Sequence, residues 1–129
     1  MKKIIIIISI IALTYFIKIP PYVELNDLAI IESIGIEYKD NQYIIYLKEL
    51  IPTKSDQGID YKYKYYETKS NEIISAIEKL KKETPKKIYL SKIKKLITNL
   101  TNTDTIKKEL DIKPNSIIHT DSIKDTIYQ

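Results

Sequence analysis

The chain has 129 residues, 43% of them hydrophobic and 29% charged, so it has room for one small domain after an N-terminal segment. It contains no Cys, which excludes disulfides, thiolate metal sites and a lipid attached to Cys. All 21 basic residues are Lys, and outside the N-terminal segment 18 Lys face 17 acidic residues, so the chain lacks the basic face of a nucleic-acid-binding protein.

The first residues have the pattern of an export signal. Lys2 and Lys3 precede an apolar run from Ile4 to Ile17, which orients the N-terminus toward the cytoplasm and the rest of the chain outside. No small-residue cleavage site follows the run, and Lys18 can snorkel while the apolar stretch continues beyond it. We therefore predict an uncleaved membrane anchor with a proline spacer over residues 1–21, and one extracytoplasmic domain over residues 22–129. The alternative is a cleaved signal and a secreted domain.

A β-hairpin is predicted at the start of this domain. Residues 28–38 alternate apolar and polar, with Glu32 as the exception on the apolar side, and residues 43–50 form a second β-rich run. Residues 39–42 between them have turn chemistry. Gly35 inside the first strand indicates a bulge or a close approach of another part of the chain.

Residues 52–60 are polar and include Gly58, so they are predicted to form a loop. Asp56 and Asp60 bracket this glycine, but no bidentate Glu stands at the offset that a calcium loop requires, and a plain turn is the simpler interpretation.

Tyrosine and lysine alternate from Tyr61 to Tyr65, which predicts a strand with one aromatic face and one lysine face. The first interpretation is an outer strand whose tyrosines pack inward and whose lysines are solvated and discourage edge-to-edge pairing. The second is an exposed aromatic and basic strip that binds a polymer or a headgroup, with Tyr61 and Tyr63 as candidate contacts.

An amphipathic helix is predicted after this strand. Ser70 is its expected N-cap, an apolar stripe runs from Ile73 to Leu80, and Pro85 lies beyond its end. Residues 87–100 are ambiguous, because their first part favours a strand and their second part has helical spacing. A short helix is predicted over residues 103–110.

Two stretches resemble a known family. VELNDLAIIESIGIEYKDNQYIIYL, Val23 to Leu47, resembles the start of the mature Ger(x)C proteins, the lipoprotein C subunits of spore germinant receptors, where a segment of the type RELNDLAIVxGIGID leads into a strand pair. YYETKSNEIISAIEKLKKETPKKIYLSKIKKLI, Tyr65 to Ile97, is similar to the family's short helix and the PRKLYLGHLKVLIIG segment after it.

This resemblance implies an α+β fold: a small mixed domain with a hairpin, one amphipathic helix packed on the sheet, and further short strands and a helix. It favours strand over residues 88–98. The chain departs from the family pattern in three respects: it lacks the lipobox Cys, it is much shorter than the three-domain relatives, and Lys92 stands where His is common.

Candidate site residues are few. Glu24, Asn26 and Asp27 carry the family-like motif, and the structural interpretation is a capped turn that leads into the first strand, with a partner-binding role as the alternative. Lys92 is a further candidate contact. His119 is the single histidine, has no motif around it, and is expected at the surface.

No catalytic, cofactor-binding or metal-binding residues are predicted, so we expect a protein that is not an enzyme. The leading hypothesis is a membrane-tethered assembly subunit that binds integral membrane subunits of a germinant receptor, as the resemblance implies. The alternative is a cell-envelope protein of the same fold that binds a wall polymer through the strip from Tyr61 to Tyr65.

Overall fold

A computed structural model of the chain describes residues 2–16 and 27–129. The helices are α1 (Lys2–Phe16), α2 (Ile73–Glu83), α3 (Thr103–Leu110) and α4 (Ile123–Ile127). The strands are β1 (Leu28–Lys39), β2 (Gln42–Ser55), β3 (Gly58–Ser70), β4 (Lys87–Tyr89), β5 (Lys95–Thr98) and β6 (Ser116–His119).

The apolar N-terminal run forms α1, and the side chains of residues 4–8 are exposed. Of the helices that the structure describes, none combines the length and the apolar character needed to cross a membrane. The proline spacer predicted at the end of residues 1–21 lies outside the described residues. The membrane anchor therefore stays a prediction.

The remaining elements form a mixed α+β domain around one six-stranded sheet, in the strand order β3-β2-β1-β5-β6. The pairs β1–β2 and β2–β3 are antiparallel, whereas β5 pairs parallel with β1 and with β6. The short strand β4 also pairs parallel with β1, near its beginning. The predicted fold class is confirmed for this domain.

The predicted hairpin is present between β1 and β2. Its two-residue turn consists of Asp40 and Asn41, which have φ angles of 53° and 60°. Positive φ at both central positions is the geometry of the turn that matches the twist of two antiparallel strands, and Asp and Asn tolerate it well. The turn predicted over residues 39–42 is confirmed.

A β-bulge explains the irregular alternation in β1. Ile31 pairs with Glu49 and Ser33 with Lys48, so Glu32 is an additional residue in β1. Before the bulge, the odd-numbered residues Ala29 and Ile31 point into the core. After it, the even-numbered Ile34 points into the same core. The exception noted at Glu32 is therefore the point where the alternation changes phase.

The sheet is covered on both sides. On the α2 side, buried residues of β1, β2 and β5 pack against Ile73, Ala76, Ile77 and Leu80 of α2, and Ile106 of α3 joins the same cluster. On the α4 side, Tyr46 and Ile97 pack with Ile123 and Ile127 of α4. This second layer depends on Gly35, because a Cβ there would lie 2.8 Å from Cγ2 of Ile123. Gly35 thus serves a close approach, one of the two roles that its position indicated.

Two boundaries differ from the sequence prediction, and one stretch that periodicity left ambiguous contains strands, as the resemblance favoured. Ser70 is the last residue of β3 and not an N-cap; Glu72 occupies the N-cap position of α2 without a side-chain capping bond. Residues 52–60 are not a loop, because β2 and β3 continue through them to a turn at residues 56–57. Residues 87–100 contain two separate strands, β4 and β5, both held by backbone pairing to β1, which outweighs the helical spacing of their side chains. The helix predicted over residues 103–110 is α3 and is confirmed.

Candidate partner-binding surface

The pair of strands β2 and β3 extends beyond both covering layers. We call residues 50–63 the hairpin tip; none of its residues is buried. The β2–β3 ladder stays in register up to the pair Ser55 and Gly58, so the tip keeps the strand conformation although nothing packs on it. Gly58 has a φ of 124°, which side-chain-bearing residues rarely adopt, and it closes the turn.

One face of the hairpin tip is apolar and aromatic. Register places Leu50 opposite Tyr63, Pro52 opposite Tyr61 and Lys54 opposite Ile59, and residues paired in this way share one side of a sheet. Ile59 is 65% exposed, Tyr61 55% and Tyr63 46%. We call Leu50, Pro52, Ile59, Tyr61 and Tyr63 the aromatic face.

The expectation that the tyrosines of this strand pack inward is wrong for Tyr61 and Tyr63. The covering layer on this side ends at Tyr65. This residue is half-buried and stacks on Tyr128, at the end of α4, with ring centroids 4.3 Å apart. Between Tyr65 and the turn at residues 56–57, no described element covers this side of β3. The lysines, Lys62 and Lys64, are solvated as expected, on the opposite face.

A lysine lies beside the aromatic face. The Lys48 ammonium is 4.3 Å from the centroid of the Tyr63 ring, within the range of a cation–π contact. Lys48 also donates a hydrogen bond of 3.0 Å to the carbonyl oxygen of Gln129. Tyr63 is thereby held at the base of the aromatic face while its ring remains accessible.

A buried carboxylate marks the place where the covered sheet ends and the tip begins. Glu49 is 1% exposed and lies on the α2 side of β2. The Tyr66 hydroxyl donates to its Oε2 at 2.6 Å, and the Lys86 ammonium lies 3.3 Å from its Oε1. Burial, followed by the hydrogen bond to Glu49, raises the pKa of Tyr66. Both carboxylate oxygens therefore have partners, as a buried charge requires.

The sequence itself contains a signal for the burial of Glu49. It stands at the same parity as Ile45 and Leu47 in a β-rich run, and an acidic residue on an apolar parity indicates a buried partner. The other missed residues, Leu50, Pro52 and Ile59, become visible only when residues 52–60 are taken as paired strands instead of a loop.

The other predicted site residues are dispersed. Glu24 and Asn26 lie outside the described residues, Asp27 is exposed just before β1, and Lys92 is exposed in the turn between β4 and β5. In the part of the chain that the structure describes, no hydrogen bond, ion pair or ring contact joins Asp27 or Lys92 to Tyr61 or Tyr63. Of the four candidates that the structure describes, Asp27 and Lys92 therefore lie apart from Tyr61 and Tyr63.

The cavities are small or open. The more enclosed one, about 150 Å³, lies beside α4 between Glu32, Lys48 and Lys95. His119 is exposed beside a shallow depression. Within residues 2–16 and 27–129 no group of three or more His, Cys, Asp or Glu side chains is placed to hold a metal ion. The prediction that the chain is not an enzyme stays a prediction.

Comparison with protein families gives a match to the sheet domain. A family model described as the spore germination protein N-terminal domain matches residues 21–99, which include β1 to β5 and α2. No curated protein and no solved structure matches the chain.

Proposed function

The chain belongs to the family of the spore germination protein N-terminal domain, and from this membership we propose that it is an extracytoplasmic assembly subunit that acts by protein–protein binding during germination. The family match is the observation that carries the proposal, because it spans more than half of the chain and includes the centre of the sheet. The binding partners proposed are integral membrane subunits of a germinant receptor, as the resemblance to Ger(x)C proteins implies.

Two features support binding. The strand β3 is at one end of the strand order, so one row of its backbone N–H and C=O groups has no neighbouring strand in the described sheet. Such an edge is a known docking position for an extended segment of a partner. The hairpin tip adds exposed aromatic side chains, the residue type that dominates the energetics of protein interfaces.

The proposed tether is the N-terminal segment. Its support comes from the two lysines that begin α1, the exposed isoleucines of α1, and the continuation of the apolar sequence past Lys18. Positive charge at the start of an apolar segment favours a cytoplasmic N-terminus, which puts the sheet domain on the outer side.

The test is a gene deletion with complementation. Spores without the protein are expected to lose the response to the nutrients recognised by the receptor whose subunit genes lie beside this gene. Expression of the full-length chain is expected to restore the response. The fraction of spores that germinate is the measurement. A deletion strain that germinates like the parent with every nutrient tried contradicts the proposed role.

The alternative is an envelope protein that binds a wall polymer through the strip from Tyr61 to Tyr65. The observation in its favour is the exposure of Tyr61 and Tyr63. If it holds, the full-length protein in mild detergent co-sediments with purified cell-wall polymer, and Tyr61→Ala with Tyr63→Ala abolishes this. Equal sedimentation of both proteins, or of neither, contradicts it.

A further inference from the structure

We propose that the hairpin tip lies against the lipid headgroup surface of the membrane, with its aromatic face in the interface. The inference rests on the tether in the proposed function and adds a second contact with the same membrane. Three observations carry it: where the tip is placed, which side chains it presents, and how its charges are distributed.

Topology places the hairpin tip at the end of the sheet where the chain enters the domain. Ile31 pairs with Glu49, so the antiparallel strand β2 runs from there past the beginning of β1. Leu28 is three residues before Ile31, and the turn begins seven residues after Glu49. At about 3.3 Å per residue the tip extends roughly 13 Å past the first residue of β1.

The tether length allows this contact. Ten residues, 17–26, separate α1 from Asp27, and ten residues span at most about 35 Å when fully extended. The end of the domain that carries the tip therefore stays within about one domain diameter of a membrane that holds the N-terminal segment. The opposite end of the sheet, with the turn at Asp40 and Asn41, is directed away from the point of entry.

The aromatic face has the chemistry of an interface anchor. Tyrosine combines an apolar ring with a hydroxyl that stays hydrated, and it is enriched where acyl chains meet headgroups. The hydroxyls of Tyr61 and Tyr63 have no hydrogen-bond partner among the described residues, whereas those of Tyr46 and Tyr66 donate to carboxylates. Ile59, at 65% exposure, adds an aliphatic side chain next to the turn.

Lys54 and Lys62 balance Asp56 and Asp60 within the tip, and it is a lysine that lies on the side of the aromatic face. Among the paired residues of the tip that lie on the side of Tyr61 and Tyr63, Lys54 is the one with a charge. Lys48 lies on the same side, two residues before the tip begins. The acidic residues, Asp56 in the turn and Asp60 on the other side, are accompanied there by Lys62. Lysines next to aromatic residues favour headgroups through attraction to anionic lipids, while their stems cover apolar surface.

A tryptophan probe tests the contact directly, because the chain has no Trp. The full-length Tyr61→Trp protein is reconstituted into vesicles of phosphatidylcholine and phosphatidylglycerol, with and without brominated acyl chains. The matched control is Tyr38→Trp, at a tyrosine that is 43% exposed. Tyr38 pairs with Tyr43 and Tyr61 with Pro52, so the two probes are nine residues apart along β2, about 30 Å.

We expect a blue shift and strong quenching by brominated lipid for the Tyr61→Trp protein, and neither for the Tyr38→Trp protein. Adding Lys54→Glu to the Tyr61→Trp protein is expected to reduce the quenching in anionic vesicles. Far-UV circular dichroism checks that each variant is folded, and Tyr63→Trp replaces Tyr61→Trp if that variant does not fold.

Other outcomes overturn the proposal, in ways that can be told apart. Vesicle-bound protein in which both probes stay unquenched rejects the tip contact and leaves the tether standing. Protein that does not float with vesicles rejects the tether and the tip contact together. A blue shift in detergent that grows with protein concentration identifies a second copy as the occupant. One that requires added wall polymer identifies the polymer.

Discussion

The two halves of the long strands β2 and β3 differ in what covers them. From residue 43 to residue 49, β2 is covered by α2 on one side and by α4 on the other, and Ile45 and Leu47 are fully buried. Only a few residues further along the same strand, the hairpin tip has no layer on either side. The backbone pairing continues through both halves without a break.

The comparison shows that strand structure and strand stability have separate sources in this domain. In the covered half, burial of apolar side chains provides the main stabilisation. In the hairpin tip only the backbone ladder and cross-strand contacts such as Lys48 with Tyr63 remain, each contributing about 1 kcal/mol or less. The part with the smallest contribution to stability is therefore the part available for binding.

The largest contrast is expected between two leucines of β2. Leu47→Ala should lower the free energy of unfolding by about 2–5 kcal/mol, because it leaves a cavity in the α2-side core. Leu50→Ala, three residues along the strand and only half-buried, should lower it by less than about 1 kcal/mol. Urea unfolding of the full-length protein in one mild detergent, followed by circular dichroism, measures both. Equal losses would show that the tip is part of the cooperative core.

A smaller effect is expected in the layer that α4 forms. Gly35→Ala introduces a Cβ 2.8 Å from Cγ2 of Ile123, and overpacking of this kind should reduce the free energy of unfolding by about 1–3 kcal/mol. Because Ile123→Ala removes the opposing methyl group, the double variant should lose less than the sum of the two single losses. Strictly additive losses in this double-mutant cycle would rule out the contact as the cause.

The boundary between the halves is tested by removing a single hydroxyl. Tyr66→Phe deprives Oε2 of the buried Glu49 carboxylate of its donor, while Lys86 remains at Oε1, and should cost about 1–2 kcal/mol of unfolding free energy. The control, Tyr63→Phe in the tip, loses a hydroxyl without a described partner and should change stability by less than about 0.5 kcal/mol.

Tyr66→Phe should also change how the free energy of unfolding depends on pH. The pKa of Tyr66 is raised in the folded protein, so the folded state keeps a proton that the unfolded chain loses above about pH 10. The resulting stabilisation is complete below that pH and declines as the pH rises toward the folded-state pKa. The free energy of unfolding should therefore fall more steeply above pH 10 in the unsubstituted protein than in Tyr66→Phe. Identical alkaline slopes would disprove the shift.

Only a small effect is expected for Tyr63→Ala. The substitution removes the contact with Lys48 and a cross-strand neighbour of Leu50, which together should amount to less than about 1 kcal/mol. A loss well above this value, measured in the same urea experiment, would mean that Tyr63 packs inward as its sequence pattern first indicated.

Local patterns predicted what local forces determine. The turn at Asp40 and Asn41 follows from residues that accept positive φ, and the apolar stripe of α2 has a spacing that only a helix places on one side. The extent of α3 followed from the sequence as well, with Asn102 accepting a hydrogen bond from the Thr105 amide at its start.

Long-range pairing determined the rest. Residues 52–60 are polar because they are exposed on both sides, so their composition resembles that of a loop although they form strands. The strand β5 exists because β1 offers it a parallel partner more than sixty residues earlier in the chain. The aromatic face and the environment of Glu49 depend on such pairings, and for that reason spacing alone did not reveal them.

The central position of β1 has a mechanical consequence. Its hydrogen bonds to β2 lie on one edge, and those to β4 and β5 lie on the other. A force applied to the domain through residue 27 acts along the axis of β1, at a large angle to these bonds. Both ladders then carry the load in shear, with many bonds sharing it, and do not open one bond at a time. Residue 27 is thus connected to the domain through its central strand, which is hydrogen-bonded along both edges.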